Sequence, residues 1–163
     1  MSDGRTPALA GSPLKVAVIG VGRLGRQHAR WLRAISDMVA PAAIVAPAAP
    51  CELVGVFDTN TDRLREVAGE FSCRAFHSLA EALDRADAVS IVTPTTTHAE
   101  VTIAALNAGC HVLVEKPIAS TVADAMAMIA AAKATNKTLA VGHIERFNPA
   151  YLAIRDLGLK PRF

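Results

Sequence analysis

The sequence has few aromatic residues and little net charge. Aromatic side chains make up 4 % of the 163 residues, whereas 52 % are hydrophobic. This Ala/Val/Leu-rich profile is typical of a folded globular chain rather than a disordered one, and the length suits a single domain. The net charge is +2, from 17 basic and 15 acidic residues, so the charge gives no reason to expect nucleic acid or an anionic membrane as a partner.

Long apolar runs and paired cysteines are also missing. No run reaches the ~18 apolar residues of a membrane span. The three cysteines are far apart and form no C-x-x-C motif, which favours small buried residues of a reduced, cytoplasmic protein. Residues 1–13 are polar, contain glycine and proline, and lack the apolar stretch of a signal peptide, so we expect a disordered leader there.

Short apolar runs alternate with helical patterns along the rest of the chain. Strands are predicted over 15–20, 51–58, 74–76, 88–93, 111–115 and 138–142, and helices over 22–35, 62–70, 78–85, 98–108 and 121–135. The strand runs are nearly continuous, which is typical of a parallel sheet buried on both faces. Six such strands predict a Rossmann-type, doubly wound α/β fold with strand order 3-2-1-4-5-6. The segment 38–50 contains three prolines and is predicted to be an inserted surface loop.

Helix ends carry recognisable capping signals. Ser78 and Glu81 have the S-x-x-E spacing of a capping box, and Thr97 and Glu100 repeat that spacing before the next helix. Each pair is predicted to cap a helix N-terminus through reciprocal hydrogen bonds. Gly109 stands where a residue with positive φ ends a helix.

A glycine motif follows the first predicted strand. The run from Gly20 to Gly25 reads G-x-G-x-x-G and opens the first predicted helix, which is the context of a dinucleotide-binding turn. Gly20 permits the tight turn, Gly22 lets a pyrophosphate approach the backbone, and Gly25 lets the helix pack against the strand. Arg23 and Leu24 complete the turn, where a helix N-terminus favours phosphate. The alternative is a glycine-rich turn without a ligand.

Asp58 ends the second predicted strand. A carboxylate at this position accepts hydrogen bonds from the adenosine ribose and repels a 2′-phosphate, which favours NAD over NADP. It lies further from Gly25 than the usual ~20 residues, and the insertion at 38–50 accounts for the excess. Arg63 is close enough in sequence to tolerate a 2′-phosphate. The alternative is that Asp58 is a turn residue that caps a helix.

Three further motifs follow later strands. They read TPTTTH over 93–98, EKP over 115–117 and VGHIERFNP over 141–149. Each begins at or near the carboxyl end of a predicted strand, where ligands bind in open α/β sheets.

Together with the glycine motif, these segments resemble the Gfo/Idh/MocA oxidoreductase family over about residues 14–150. The resemblance implies a two-domain NAD(P)-dependent dehydrogenase of sugars or sugar nucleotides. It is strongest to members that oxidise the 3-hydroxyl of UDP-N-acetylglucosamine. Such members carry an α+β domain after the nucleotide-binding one, and the full-length protein is expected to be a homo-oligomer with a small-molecule sugar or sugar-nucleotide substrate.

The resemblance assigns roles to the EKP and TPTTTH motifs. Lys116 corresponds to the catalytic lysine, which reaches the reacting sugar carbon, assists proton transfer and contacts the cofactor. Glu115 corresponds to a residue near the nicotinamide ribose, and alternation places its side chain on the opposite side from that of Lys116. Thr93 and Pro94 correspond to the turn that flanks the cofactor. His98 corresponds to the histidine that follows this turn in the family. The alternative is that His98 is only a residue in the first turn of a helix.

The resemblance is less specific for the substrate. The resemblance places three residues near a substrate sugar or phosphate, namely His143, Arg146 and Asn148. The alternative for Arg146 is a residue that forms a surface ion pair. The remaining histidines, His28 among them, are interpreted as helix, turn or strand residues, and no spacing matches a metal site.

Residues 151–163 are expected to begin a helix that connects to a second domain missing from this chain. Turnover by these 163 residues alone is therefore not expected, because half of the substrate contacts are missing. Three interpretations remain open. The sequence is a fragment of a dehydrogenase, a non-catalytic module that binds NAD(H), or a subunit completed by a separate chain.

Overall fold

The computed structural model describes residues 13–37 and 51–158. The predicted leader, apart from Pro13, and the predicted loop at 38–50 lie outside the described residues. The strands are β1 (Leu14–Ile19), β2 (Cys51–Phe57), β3 (Arg74–Ala75), β4 (Ala88–Ile91), β5 (His111–Val114) and β6 (Leu139–Val141). The helices are α1 (Arg23–Asp37), α2 (Thr61–Glu70), α3 (Leu79–Arg85), α4 (His98–Asn107), α5 (Val122–Thr135) and α6 (Pro149–Asp156).

The strands form one parallel sheet in the order β3-β2-β1-β4-β5-β6. The predicted fold and strand order are therefore confirmed. The chain moves outward from β1 to β2 and β3 on one side, and to β4, β5 and β6 on the other. A crevice opens at the carboxyl end of a sheet where its order reverses in this way, here between β1 and β4.

Three helices cover one face of the sheet. Helices α3, α4 and α5 pack on it, and the core there includes Ile19, Ile91, Leu106, Val114 and Met128, each 1 % exposed or less. Apolar side chains removed from water in this way supply most of the driving force for folding. This face therefore holds the sheet rigid beneath the carboxyl ends of β1, β4 and β5.

The other face is covered only in part. Helices α1 and α2 pack over β1 to β3 around a core that includes Val18, Val56 and Val67. Beyond α1, an apolar groove of about 530 Å³ runs over β4, β5 and β6. Trp31 and Leu113 line this groove and are 64 % and 40 % exposed.

The capping predictions have different outcomes. Ser78 caps α3, because its Oγ accepts the N–H of Glu81 at 3.1 Å. The Glu81 carboxylate accepts the N–H of His77 at 2.8 Å instead of that of Ser78, and this bond is the main cause that lowers the pKa of Glu81. Gly109, with φ of 85°, follows the end of α4 as predicted.

The second predicted capping box is wrong. Thr97 makes no side-chain bond to the N-terminus of α4. Its hydroxyl lies 2.9 Å from Thr93 Oγ1 and 2.9 Å from the carbonyl oxygen of Pro94. The reason is local, because residues 95–97 form a 3-10 turn that leads directly into α4, so the hydroxyl bonds back to the residues before the turn.

Candidate cofactor and active site

The glycine motif forms the connection between β1 and α1, and two of its glycines are required by packing. Gly20 has φ of +86°, and a Cβ there would lie 2.8 Å from the carbonyl oxygen of Val92. A Cβ on Gly25 would lie only 1.9 Å from the carbonyl oxygen of Gly20. These positions therefore match the predicted tight turn and the predicted close packing of helix and strand.

Gly22 differs from its two neighbours. The nearest atom to a Cβ built at this position is Nη1 of Arg63, at 3.7 Å, which is ordinary van der Waals contact. The fold therefore has room for a side chain at Gly22, and packing alone does not explain the glycine. Arg23 and Leu24 follow as the exposed first residues of α1, where helix N–H groups lack intrahelical partners. An open backbone at a helix N-terminus is an arrangement that is able to bind a phosphate group.

Asp58 lies against the glycine motif and is 9 % exposed. Its Oδ2 accepts the N–H of Val21 at 2.8 Å, and its Oδ1 accepts the N–H of Asn60 at 2.8 Å. Arg63 reaches the same carboxylate, with Nε 3.3 Å from Oδ2. Arg63 Nη2 also lies 3.4 Å from Oδ1, so these contacts together occupy the roughly four acceptor sites of the carboxylate. A ribose hydroxyl would have to replace one of the contacts from Arg63, whose side chain is 44 % exposed. The cap of α2 is Asn60, whose side chain accepts the N–H of Arg63.

A crevice of about 480 Å³ opens at the switch point between β1 and β4. Gly20, Gly22 and Asp58 line one side of it, and Thr93 and Pro94 line the other. The fold thus brings together residues that the sequence placed on separate motifs. The two sides also touch directly, because Gly20 packs against the backbone that leads into Thr93.

His98 is buried, with 1 % exposure, below the turns that follow β4 and β5. Its Nε2 lies 2.9 Å from the carbonyl oxygen of Thr93, and its Nδ1 lies 3.0 Å from that of Pro117. Both ring nitrogens are thus occupied by backbone. His98 links the two turns to each other and does not line the crevice described above.

Lys116 is exposed and follows β5 directly, while Glu115 is buried, with 7 % exposure. The backbone N–H of Glu115 donates to the carbonyl of Ile91 at 2.9 Å, which fixes the turn to the end of β4. The backbone N–H of Lys116 donates to Oε2 of Glu115 at 3.0 Å. Glu115 therefore contacts the main chain of Lys116, and the lysine side chain extends into solvent at the carboxyl edge of the sheet.

Sequence reasoning missed three residues around Glu115. His28 Nε2 lies 3.2 Å from Glu115 Oε1, and His28 Nδ1 lies 2.8 Å from Ser90 Oγ. Gly142 packs against the same carboxylate. One signal was available, because His28 shares a helical stripe with Gly25 and Ala29, both buried, and a polar residue on a buried stripe needs a partner.

The three residues assigned to substrate lie on an exposed segment that follows β6. The N–H of Gly142, which starts this segment, donates to the carbonyl of Val114 at 2.8 Å and anchors it beside the EKP turn. His143 and Arg146 are exposed beyond it. Asn148 caps α6, because its Oδ1 accepts the N–H of Ala150 at 2.9 Å.

The described residues lack the features of two other kinds of site. Within residues 13–37 and 51–158, no group of three or more His, Cys, Asp and Glu side chains could hold a metal ion. In the same residues, no helix is long and apolar enough to cross a membrane. Burial raises the pKa of the Cys51 and Cys73 thiols, so both thiols are protonated at neutral pH.

The comparisons with known proteins agree with this geometry. The model of the oxidoreductase family with an NAD-binding Rossmann fold, Gfo/Idh/MocA, matches residues 14–143. UDP-N-acetylglucosamine 3-dehydrogenase from Acidithiobacillus ferrooxidans is 44 % identical over 151 residues, which are 92 % of this chain and 44 % of the relative. A crystal form of that enzyme superposes with a TM-score of 0.78 over 90 % of this chain and 44 % of the enzyme.

Other relatives act on different polyols and sugars. Inositol 2-dehydrogenase 3 from Saccharopolyspora erythraea is 35 % identical over 147 residues, which are 88 % of this chain and 40 % of the relative. The chain spans less than half the length of these relatives. The family match covers most of the chain and includes the glycine turn, the crevice and the EKP turn. The chain therefore belongs to the Gfo/Idh/MocA family of oxidoreductases and contains its NAD-binding Rossmann domain.

Proposed function

We propose that this chain is the cofactor-binding part of a dehydrogenase that transfers hydride between a nicotinamide and a hydroxyl of a sugar nucleotide. The observation that carries the proposal is the crevice at the switch point, where Gly22 leaves room that packing does not use. The 3-hydroxyl of UDP-N-acetylglucosamine is the proposed site of oxidation, which the 44 % identity to a dehydrogenase of that name supports.

Each part of the cofactor has proposed contacts in this chain. The pyrophosphate lies on the glycine turn at the N-terminus of α1, and Asp58 accepts bonds from the adenosine ribose. Thr93 and Pro94 flank the cofactor, and Glu115 contacts the nicotinamide ribose. When bound, the nicotinamide supplies the group that accepts or donates the hydride.

Lys116 is the proposed catalytic residue. Its neutral amine would accept the hydroxyl proton when the sugar carbon is oxidised, and the resulting ammonium group would return that proton when the carbon is reduced. The exposed side chain at the end of β5 and the fixed turn beneath it support this role. His143, Arg146 and Asn148 are proposed to face the sugar or its phosphates, because their segment lies beside the EKP turn.

NAD is proposed as the preferred cofactor over NADP. The carboxylate of Asp58 would repel a 2′-phosphate, and Arg63, 3.3 Å from it, is the feature that would reduce this repulsion. We expect NADH to bind more tightly than NADPH in parallel titrations. Tighter binding of NADPH would reverse the assignment and make Arg63 the dominant residue.

The wider setting is also a proposal. Residues 14–150 form the nucleotide-binding domain, and residues 151–163 lead into the second domain of the full-length protein. The full-length protein is proposed to be a cytoplasmic homo-oligomer. The three cysteines of these 163 residues, which are far apart and form no C-x-x-C motif, are the feature that supports the location.

Calorimetric titration of the 163-residue chain with NADH, and separately with ADP, tests the proposed function. We expect saturable binding of both ligands at one site, with NADH displacing ADP. Absence of binding by either ligand to a folded chain would refute the proposal.

A further inference from the structure

A polar cluster adjoins the Lys116 turn on the partly covered face of the sheet. His28 comes from α1, Ser90 from β4 and Glu115 from the end of β5. His28 Nε2 lies 3.2 Å from Glu115 Oε1, and its Nδ1 lies 2.8 Å from Ser90 Oγ. Ser90 and Glu115 are 3 % and 7 % exposed. Buried polar groups of this kind are costly unless they are paired, so the cluster is a built arrangement and not a chance surface contact.

The chemistry of the partners orients the histidine ring. The ionised carboxylate of Glu115 can only accept hydrogen bonds, whereas the hydroxyl of Ser90 can donate. A neutral His28 ring with its proton on Nε2 satisfies both partners, since Nε2–H donates to Glu115 and Nδ1 accepts from Ser90. Ser90 therefore orients the ring, and the ring orients the carboxylate.

Two backbone contacts complete the cradle around the carboxylate of Glu115. Its Oε2 accepts the N–H of Lys116 at 3.0 Å. On another side lies Gly142, where an added Cβ would come within 2.9 Å of Oε1. A side chain held by a histidine, an amide N–H and a glycine backbone has little freedom to rotate.

We propose that His28 is a positioning residue for the nicotinamide end of the site. It fixes the carboxylate of Glu115, which contacts the nicotinamide ribose and also accepts the N–H of Lys116. The inference rests on the proposed function, in which Glu115 has that cofactor contact. It implies that the bond from His28 to Glu115 contributes to the binding of the nicotinamide end of the cofactor. The same bond does not contribute to the binding of the adenosine end, which lies at the glycine turn.

Two substitutions of His28 separate its two bonds. His28→Asn places an amide near the position of Nδ1, which keeps the Ser90 partner and removes the bond to Glu115. His28→Gln reaches the position of Nε2 and keeps an N–H donor for Glu115. The ligands are NADH and ADP, because ADP lacks the nicotinamide and its ribose. Affinities are measured by calorimetry on the 163-residue chain, with thermal unfolding of each variant as the control for folding.

We expect His28→Asn to weaken NADH binding about tenfold, the value of one hydrogen bond to a charged group. Its ADP affinity should stay within about twofold of wild type, because the glycine turn is a separate site. His28→Gln should retain NADH affinity much closer to wild type. In a Glu115→Ala background, His28→Asn should have no further effect, since its action passes through that carboxylate.

A variant that leaves His28 in place provides a second test should His28→Asn fail to fold. Gly142→Ala pushes the carboxylate of Glu115 out of its cradle and should give the same loss of NADH affinity without loss of ADP affinity. Equal NADH affinities for the Asn and Gln variants, or parallel losses for NADH and ADP, would overturn the inference. A folded wild-type chain that binds neither ligand would overturn the proposed function itself.

Discussion

The carboxyl edge of the sheet has two halves that are built in different ways. The half beside β1 and β2 is made of backbone, namely a turn of three glycines held by the carboxylate of Asp58. The half beside β4 and β5 is made of short turns held by side chains from elsewhere, with His98 below both turns and His28 beside the second one. The first half depends on the absence of side chains, whereas the second depends on which side chains are present.

The largest expected effect tests the second half through Lys116, the proposed catalytic residue. In a longer protein that carries the remainder of the enzyme, Lys116→Ala should reduce turnover about 100- to 10 000-fold, the usual contribution of a general acid or base. NADH affinity should remain close to wild type. The measurement is steady-state oxidation of UDP-N-acetylglucosamine with NAD. Lys133→Ala, at an exposed lysine of α5, is the control, and a fully active Lys116→Ala variant would remove Lys116 from the chemistry.

The next effect tests how the first half depends on packing. Gly25→Ala places a Cβ 1.9 Å from a carbonyl oxygen and should lower the free energy of unfolding by about 3 kcal/mol, the scale of an overpacked site. Urea unfolding gives this value. The matched control is Gly69→Ala in α2, where an added Cβ meets nothing within 4 Å, and there we expect a gain of about 0.5–1 kcal/mol. Equal stabilities of the two variants would contradict the packing argument.

Gly22→Val separates cofactor binding from stability within the same turn. A Cβ at this position meets no atom closer than 3.7 Å, so the free energy of unfolding should change less than in Gly25→Ala. NADH affinity should fall by at least about 100-fold, because the side chain blocks hydrogen bonds from the backbone to the pyrophosphate. Calorimetry measures the affinity, and urea unfolding provides the control. Unchanged affinity would exclude the turn as the phosphate site.

His98→Leu has the smallest expected effect of the four. It removes the ring nitrogens that face the carbonyl oxygens of Thr93 and Pro117, to one of which a neutral imidazole can donate, and should lower the free energy of unfolding by about 2 kcal/mol. The two turns should loosen, so that NADH affinity falls while ADP affinity is kept. His77→Leu, at an exposed position, should change neither affinity. Equal losses of NADH and ADP affinity in His98→Leu would show that both halves depend on this histidine.

The same contrast explains how much could be predicted from the sequence. The glycine turn and the strand order were predictable because their signals are local, in a motif of six residues and in apolar runs separated by helices. Local signals also misled, since Thr97 has the spacing of a cap but follows a turn that directs its hydroxyl elsewhere. The bond between His28 and Ser90 joins residues 62 positions apart, and only the packing of α1 beside β1, with β4 as the next strand of the sheet, brings them together.

The apolar groove over β4 to β6 has a consequence for observing this molecule. Trp31 is the sequence's single tryptophan, and it lies in that groove, 64 % exposed, one turn after His28 on α1. Any surface that covers the groove would transfer the indole from water to apolar surroundings and shift its emission to shorter wavelengths. The intrinsic fluorescence of the chain therefore reports on the coverage of this face without an added label.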